Sequence, residues 1–571
     1  MNELLLEPLK YYETTGREKH KKNVSDYFEE LTVRSGVDVV QNKKTVNEYN
    51  ALMRKVQKLE KNLFWKKFLR VLLFVFAGIG TFLTVYGFAT TLPVFILIGL
   101  VLAVLPLCLV FFVFNKSIKR FSETLEKERG EAHRLLEVAW QEMSALNALF
   151  DERDALRLIE KTIPVLTFDE CYSSKREREI CELCSYSPEY DENRSILDTI
   201  CGEYKGNPFL FERCLIHHIE NKVYHGQLTI TWTERYRDSK GHYSTRLRAQ
   251  TLHASVTKPK PFYHEDTVLK YFPQGAPDLS FTREGLYHDN KTDKQIEKLV
   301  KKGEKKLKKK TADAMEKGDS FTEMSNTEFE VLFDALNRDH EVQFRMMFTP
   351  LAQNNMVSLM RSNVGYGDDF DFYKSKRMTV IHSDHAQKWC MDTSKKQYCS
   401  YDFEEIKKKF QSFHEEYFKS VFFDFAPLLS IPMYQEKPVK SLEPISEYKI
   451  NYTVNEYETL ANRMEPSLLL AKQSGTRGIL KARGLKRDKD IDKVEIQAFS
   501  YQAIPRTDFV PVLGGDGKIH PVPVHWTEYI PIKRTSYIEI GEQRADVDSK
   551  PSKDQRIVYH GLWANIISES K

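Results

Sequence analysis

Two apolar runs, residues 68–90 and 94–114, interrupt an otherwise polar chain, and only Thr91, Leu92 and Pro93 separate them. Apart from Arg70, which belongs with the basic flank, neither run holds an Asp, Glu, Lys, Arg or His. A helix of about 20 apolar residues crosses a hydrocarbon layer of roughly 30 Å, so the pattern predicts a two-helix transmembrane hairpin over residues 68–114. Ala77, Gly80, Thr84 and Gly87 share one side of the first helix, and Gly99, Ala103 and Pro106 offer small or kinked surface on the second. In lipid, small residues let backbones approach closely, which predicts packing within the hairpin, with self-association of copies as the other use of such a face.

The seams on either side extend the pattern. Tyr49, Leu52, Val56, Leu59 and Leu63 recur at alternating spacings of three and four, the seam of a coiled coil. Phe121, Leu125, Ala132, Leu135, Ala139, Met143, Leu146 and Phe150 continue it after the hairpin. A membrane-proximal helix over 44–67 and a stalk helix over 115–163 are therefore predicted to pair antiparallel as coiled-coil-like extensions. Residues 1–43 read as a polar arm with one short helix near 25–33, ended by Gly36.

The remainder predicts a cytosolic α+β domain over 164–440 and a C-terminal β-rich module over 441–571. In the first, helical turns are expected near 170–183 and 195–200. Alternation over 227–237 and 242–256, around Asp238-Ser239-Lys240-Gly241, predicts a β-hairpin, with Arg246 and Arg248 opposite Tyr243, Leu247 and Ala249. Pro259, Pro261, Pro273 and Pro277 should then break regular structure. A helix is expected from 291 to about 315, another from Thr349, which can cap it, with Pro350 at its first position. Strands over 378–382, 385–391 and 398–401 and a helix over 402–421 follow. In the module, a helix over 455–464, a basic loop over 471–492, and strands over 494–501, 509–513, 519–526 and 537–540 are expected. Gly514-Gly515-Asp516-Gly517 makes a hairpin turn, and Pro511, Pro521 and Pro523 suit edges or bulges. The fold class is membrane-anchored α+β, with antiparallel β-hairpins in the body.

Charge fixes orientation more than it identifies a partner. Lys and Arg total 85 against 81 Asp and Glu, so the net charge of +4 gives no general pull toward nucleic acid. Lys61, Lys66, Lys67 and Arg70 on one flank and Lys116, Lys119 and Arg120 on the other predict that both termini lie in the cytosol. The start, MNELLLEPLKYYE, lacks the design of a secretory signal. With no acidic or basic residue in the spans beyond Arg70 at the flank, a transport pathway is disfavoured. Eight cysteines in a reducing compartment predict thiols or metal ligands, not disulfides.

Residues 326–433 carry a family resemblance. FEVLFDALNRDHEVQFRMMFTPLAQNNMVSLM, KSKRMTVIHSDHAQKW and FFDFAPLLSIPM, with the break at Asp339, His340 and Glu341 and the start at Thr349 and Pro350, resemble an uncharacterised bacterial membrane-protein family. That family pairs an N-terminal transmembrane segment with a cytosolic α+β body. The resemblance implies bacterial origin and a membrane-tethered domain, and it brings no catalytic residues. The tail after Ser441 departs from it.

Two clusters are candidate sites. Cys181 and Cys184 form C-x-x-C between Cys171 and Cys201, and four thiolates suit a structural zinc, although the irregular spacing equally fits unliganded thiols. His382, His385, Cys390 and Cys399 form a second, looser set, whose histidines alternate across a strand. Residues 291–310 hold ten lysines, and Lys305, Lys306, Lys308, Lys309 and Lys310 are the candidate contacts for an anionic surface, with a solvated helix face as the ordinary meaning. That run lacks aromatics for base stacking, so nucleic acid is an unlikely partner. No nucleotide-binding or hydrolase motif occurs. The expected role is a scaffold or interaction protein at the inner face of a bacterial membrane, its partners being the bilayer and either another protein or itself. The alternative is a metal-dependent sensor or enzyme built on the cysteines.

Overall fold

The computed structural model describes residues 6–89, 92–184, 186, 191–237, 242–285, 293–318, 321–388, 393–436, 452–488, 491–542, 556–559 and 561–567. They form two compact units. One joins Lys21–Asp151 to Ser394–Glu415, and the other joins Met1–His20, Glu152–Thr393 and Glu416–Lys571. The result is mixed α+β, with two long apolar helices and antiparallel sheets.

The first unit is helical. A single helix, Val39–Ala89, carries the first seam straight into the first apolar run, 51 residues or roughly 75 Å at the α-helical rise. The chain returns through Pro93–Leu109, a π-turn at Val110–Phe114 and Asn115–Leu149. Val56, Leu63, Ile118 and Leu125 form a buried cluster with Leu59, Phe114 and Phe121, so the seam positions do meet. At the base, Thr45 and Asn42 bond Glu142 at 2.8 and 3.1 Å. The stalk helix is shorter than expected. It ends at Leu149, because Phe150 turns extended to pack on Tyr398 and Phe410, and a separate helix runs Asp154–Thr162. The N-terminal stretch is no polar arm. Pro8–Tyr11, Tyr12–Gly16 and Arg17–Ser35 are helical, with Val24, Phe28 and Leu31 buried. Gly36 ends the last of these at φ +63°.

The second unit holds two antiparallel sheets. Strands β1 Leu166–Phe168, β2 Arg194–Tyr204, β3 Asn207–Arg237, β4 Tyr243–Tyr271, β5 Ser280–Arg283, β6 Phe370–Ser375 and β7 Met378–Ser383 order as β1-β2-β3-β4-β7-β6-β5. Strands β8 Ile479–Asp488, β9 Ile491–Leu513, β10 Ile519–Glu542, β11 Arg556–Tyr559 and β12 Leu562–Ile566 order as β11-β12-β10-β9-β8. The first sheet carries a ring cluster in which Phe281, Phe333, Phe344, Phe348 and Phe372 are packed together. The second packs Val494, Ile496, Ile538 and Ile540 on Leu460 and Ala461 of the Val454–Arg463 helix.

Several local expectations change. Residues 195–200 are strand β2, buried on both faces, with Ile196, Ile200 and Cys201 covered by residues from elsewhere in the chain, so the helical expectation fails for want of any local signal. The basic loop over 471–492 contains strand β8, paired to β9 from Ile479↔Phe499 onward. After β7 the chain turns into a short helix, Asp384–Lys388, and the rest of the expected strand over 385–391 lies outside the described residues. Residues 398–401 are turn and coil, preceded by a 3₁₀ turn at Lys395–Gln397. Thr349 does cap its helix, accepting from Ala352 N–H at 3.4 Å.

The largest change concerns the hairpins. Strands β3 and β4 stay paired from Phe209↔Tyr271 out to Arg237↔Tyr243, a ribbon of roughly 95 Å at about 3.3 Å per residue. Pro259 and Pro261 lie inside it, paired with Asn221 and Ile219. Strands β9 and β10 form a second ribbon, continuous to Leu513↔Ile519. Pro511 and Pro521 face each other there, and two residues without N–H can only share a position where the N–H would point outward from the edge. Pro523, opposite Phe509, and Pro505, opposite Thr527, keep the same alternation, so proline blunts the edges instead of breaking the ladder.

The two ribbons lie face to face over Ile230, Leu252 and Val522, with Leu228, Trp232, Ala254 and Val512 around them. Gly226 permits that approach, since a Cβ there would stand 2.1 Å from the Pro523 carbonyl oxygen. The Gly515 N–H donates to Gln250 Oε1 at 2.7 Å, so the glycine turn docks on the first ribbon. Substituting Gly226→Val is expected to cost about 1–3 kcal/mol through overpacking, read as a lowered denaturation midpoint and faster proteolysis within β9 and β10. An unchanged midpoint and digestion pattern would show that the ribbons are not held face to face.

Candidate membrane anchor and binding surfaces

The apolar helix pair is built inside out. Its small residues are covered: Ala77, Gly80 and Gly87 on one helix and Gly99, Ala103 and Pro106 on the other are buried. A Cβ on Gly80 would stand 2.5 Å from Ala103 N, and one on Gly87 2.8 Å from Ile96 N, so the backbones touch where the side chains are smallest. The large side chains point outward instead. Phe82 is 71% exposed, Val85 69%, Leu97 70% and Phe112 78%. Only 11% and 22% of the two most apolar windows is buried, whereas the core helix of a water-soluble domain covers its apolar side chains. Both helices are long and apolar enough to cross a membrane. At the mouth, Lys66 bonds Ser117 at 2.6 Å and lies 3.6 Å from the Phe121 ring centre.

The basic helix Asp293–Lys317 buries Leu307 and Ala314 with Phe321, Val331 and Leu336. That leaves Lys305, Lys306, Lys308 and Lys309 exposed. Lys310 differs, because its Nζ donates to the Leu336 carbonyl and lies 4.4 Å from the Phe321 ring centre. It serves the helix packing, and Lys306 has Asp334 at 3.9 Å.

The four cysteines sit around one region of the body: Cys184 packs on the cluster that holds Cys201, and the Cys201 thiol donates to the Cys171 carbonyl at 3.7 Å. Cys181 and Cys184 lie on the Ser174–Cys184 helix, Cys201 is buried in β2, and Cys171 packs against the core around Tyr452 and Leu460. Among the described residues no group of three or more His, Cys, Asp or Glu side chains could hold a metal ion. Burial raises every one of these thiols, Cys171 to about 12 and Cys184 to about 11, and Cys201 well above its ordinary value with Asp169 and Glu456 adding to the effect.

The histidines find carboxylates. His382 Nε2 meets Asp266 at 2.9 Å, with Asp371 at 3.6 Å from Nδ1, and the hydrogen bond to Asp266 is the chief cause that raises it to about 10. His385 sits in the short helix after β7, Nδ1 at 2.7 Å from Asp369 and Nε2 at 3.1 Å from Asp424, stacked 3.9 Å from the Tyr366 ring. Burial opposes its charge, yet the two carboxylates hold it at about 10. Each histidine is thus paired with two aspartates inside the fold. Cys390 lies outside the described residues. Nothing in the sequence near residue 385 announced Asp424, which arrives from the Phe403–Leu429 helix.

Where the ribbons leave their sheets, His217, Tyr263, Phe499, Ser500 and Tyr501 line an open cleft of about 220 Å³. Beyond it, Arg246 and Arg248 share Glu234 at 2.7 and 2.8 Å, while Arg235 lies over Tyr243. The first ribbon's outer face is mixed, with Thr229 and Thr251 bonded at 3.1 Å across it and exposed Leu247 opposite Thr233. The second ribbon's outer face is not. Phe509, Leu513 and Ile519 are 66%, 68% and 69% exposed, with exposed Pro511 and Pro521 between them. Its signal was the near-continuous apolar run of FVPVL and IHPVPV, which marks a strand covered on both faces.

No protein-family model, curated protein or solved structure matches the chain. The resemblance over residues 326–433 therefore rests on its own residues.

The His385 site gives a signed pH dependence. A histidine raised from about 6.5 to about 10 on folding contributes stability that is complete below the lower value and is lost as pH rises toward the upper one. Buried Lys374, lowered to about 7 by burial, acts in the opposite sense, so the useful quantity is a difference between variants. Asp424→Asn is expected to cost about 3 kcal/mol at pH 6, shrinking as pH approaches 10, in denaturant unfolding. A cost that does not change with pH would mean His385 is neutral in the fold.

Proposed function

We propose that this chain is a membrane-anchored interaction protein of bacterial origin. The hairpin over 68–114 spans the bilayer twice, the paired helices on either side extend it as a coiled-coil-like stalk, and the β-rich unit is tethered at the cytoplasmic face. One observation carries the reading: the helix pair covers its glycines and alanines and exposes its phenylalanines, leucines and valines. That arrangement is stable in hydrocarbon and costly in water, where each exposed large apolar side chain forgoes about 1.5–3 kcal/mol of burial. The basic flanks orient both ends toward the cytosol. The exposed lysines Lys305, Lys306, Lys308 and Lys309 are a second surface suited to anionic headgroups.

The tethered unit works by binding. Its outer surfaces are two long ribbons, and proline closes the edges of the second, β9–β10, to strand addition, so partners meet that ribbon at its face. Confinement to a membrane raises the effective concentration of any partner in the same plane.

In cells, the chain is expected in the membrane pellet after alkaline carbonate extraction, with reporters fused to either end active only in the cytosol. Release by carbonate would contradict the anchor, and a C-terminal reporter active outside would contradict the orientation.

A further inference from the structure

We propose that the outer face of the β9–β10 ribbon is a dimer interface, and that its occupant is the same face of a second copy of this chain. The two ribbons differ in their outward faces. Outward positions of the first mix threonine with scattered apolar residues, and exposed Leu247 and Val223 each face a threonine, Thr233 and Thr257, so no run of apolar pairs forms there. On the second ribbon the residues alternating with the buried Val522 and half-buried Val512 are also apolar. In register they pair as Phe509↔Pro523, Pro511↔Pro521 and Leu513↔Ile519. A strand pair apolar on both sides is the middle layer of a stack, and within this chain only one of its outer layers is present among the described residues.

The face suits its own copy. It carries no charge, so two copies meet without repulsion or an unpaired ion. It is centred on the Pro511↔Pro521 pair, with one branched pair and one aromatic pair at its ends, and a two-fold through the centre sets each end against the opposite end of its partner. Six such side chains expose on the order of 500 Å² per copy, so a pair buries about 1,000 Å², the lower bound for a specific interface. In solution that is marginal. Anchored in one membrane the copies are already concentrated, and this step rests on the anchor proposed above. The small-residue face of the helix hairpin is unavailable for the same purpose, because Gly80 and Ala103 fill each other's contact.

The test uses the full chain in its own membranes. Pro521→Cys, at the centre of the face, is treated with a short bismaleimide beside two controls, the wild-type chain with its native cysteines and Thr231→Cys on the first ribbon. Pro521→Cys alone is expected to give a band at twice the 66.8 kDa chain mass, several-fold above both controls. Adding Phe509→Lys and Ile519→Lys, both at exposed positions, is expected to abolish that band while the melting temperature holds. A yield equal to that of Thr231→Cys, a band of any other mass, or a dimer band that survives the lysines would overturn the proposal. Carbonate resistance of the same sample reports the anchor separately, so failure of one reading is told from failure of the other.

Discussion

The structure depends on where large apolar side chains are allowed to be. In the helix pair over 68–114 they face outward, and the backbones meet through Gly80, Gly87, Gly99 and Ala103. Water supplies no reason for that arrangement, since exposing Phe82, Val85 and Phe112 forfeits the main drive for folding. Lipid does, because there the side chains lose nothing by facing out and the small seam gains dispersion contacts. The anchor reading follows from this inversion more than from helix length, which a buried core helix can equal.

The same criterion separates the two ribbons. On the first ribbon exposed Leu247 and Val223 are each set opposite a threonine, whereas on the second Phe509, Leu513 and Ile519 stand in consecutive apolar pairs that water does not finish. Proline closes the edges of the second ribbon, which removes strand addition and leaves face-to-face stacking as the mode of contact. Within the unit this mode is already in use, where Gly226 lets the ribbons touch at Pro523. Charged groups are handled differently: His382 and His385 are each enclosed by two aspartates, whose charge favours the imidazolium form.

What could be read from the sequence was periodic and local. The apolar runs, the seam at Val56, Leu63 and Leu125, the Thr349 cap and the glycine turn after Leu513 all depend on neighbours in the chain. What could not be read depends on partners far away. Residues 195–200 become a strand because β3 pairs with them, and β8 exists because β9 offers an edge to a basic segment with little alternation of its own. The prolines at 259 and 261 suggested an end to β4, but pairing on one side only leaves their missing N–H without consequence. At the candidate sites, sequence spacing brought cysteines and histidines together on paper, while the fold supplied Asp369 and Asp424 to one histidine and, among the described residues, assembled no group of three metal donors.

The central claim is that the outward face of the helix pair lies against lipid. Spin labels at Phe82→Cys and Val101→Cys, compared with Ala103→Cys in the covered seam, measure this directly by relaxation with dissolved oxygen and with a water-soluble nickel chelate. The account expects high oxygen and low nickel accessibility at 82 and 101, with both low at 103. Nickel accessibility at 82 and 101 equal to that of an exposed site such as Thr231→Cys would contradict it.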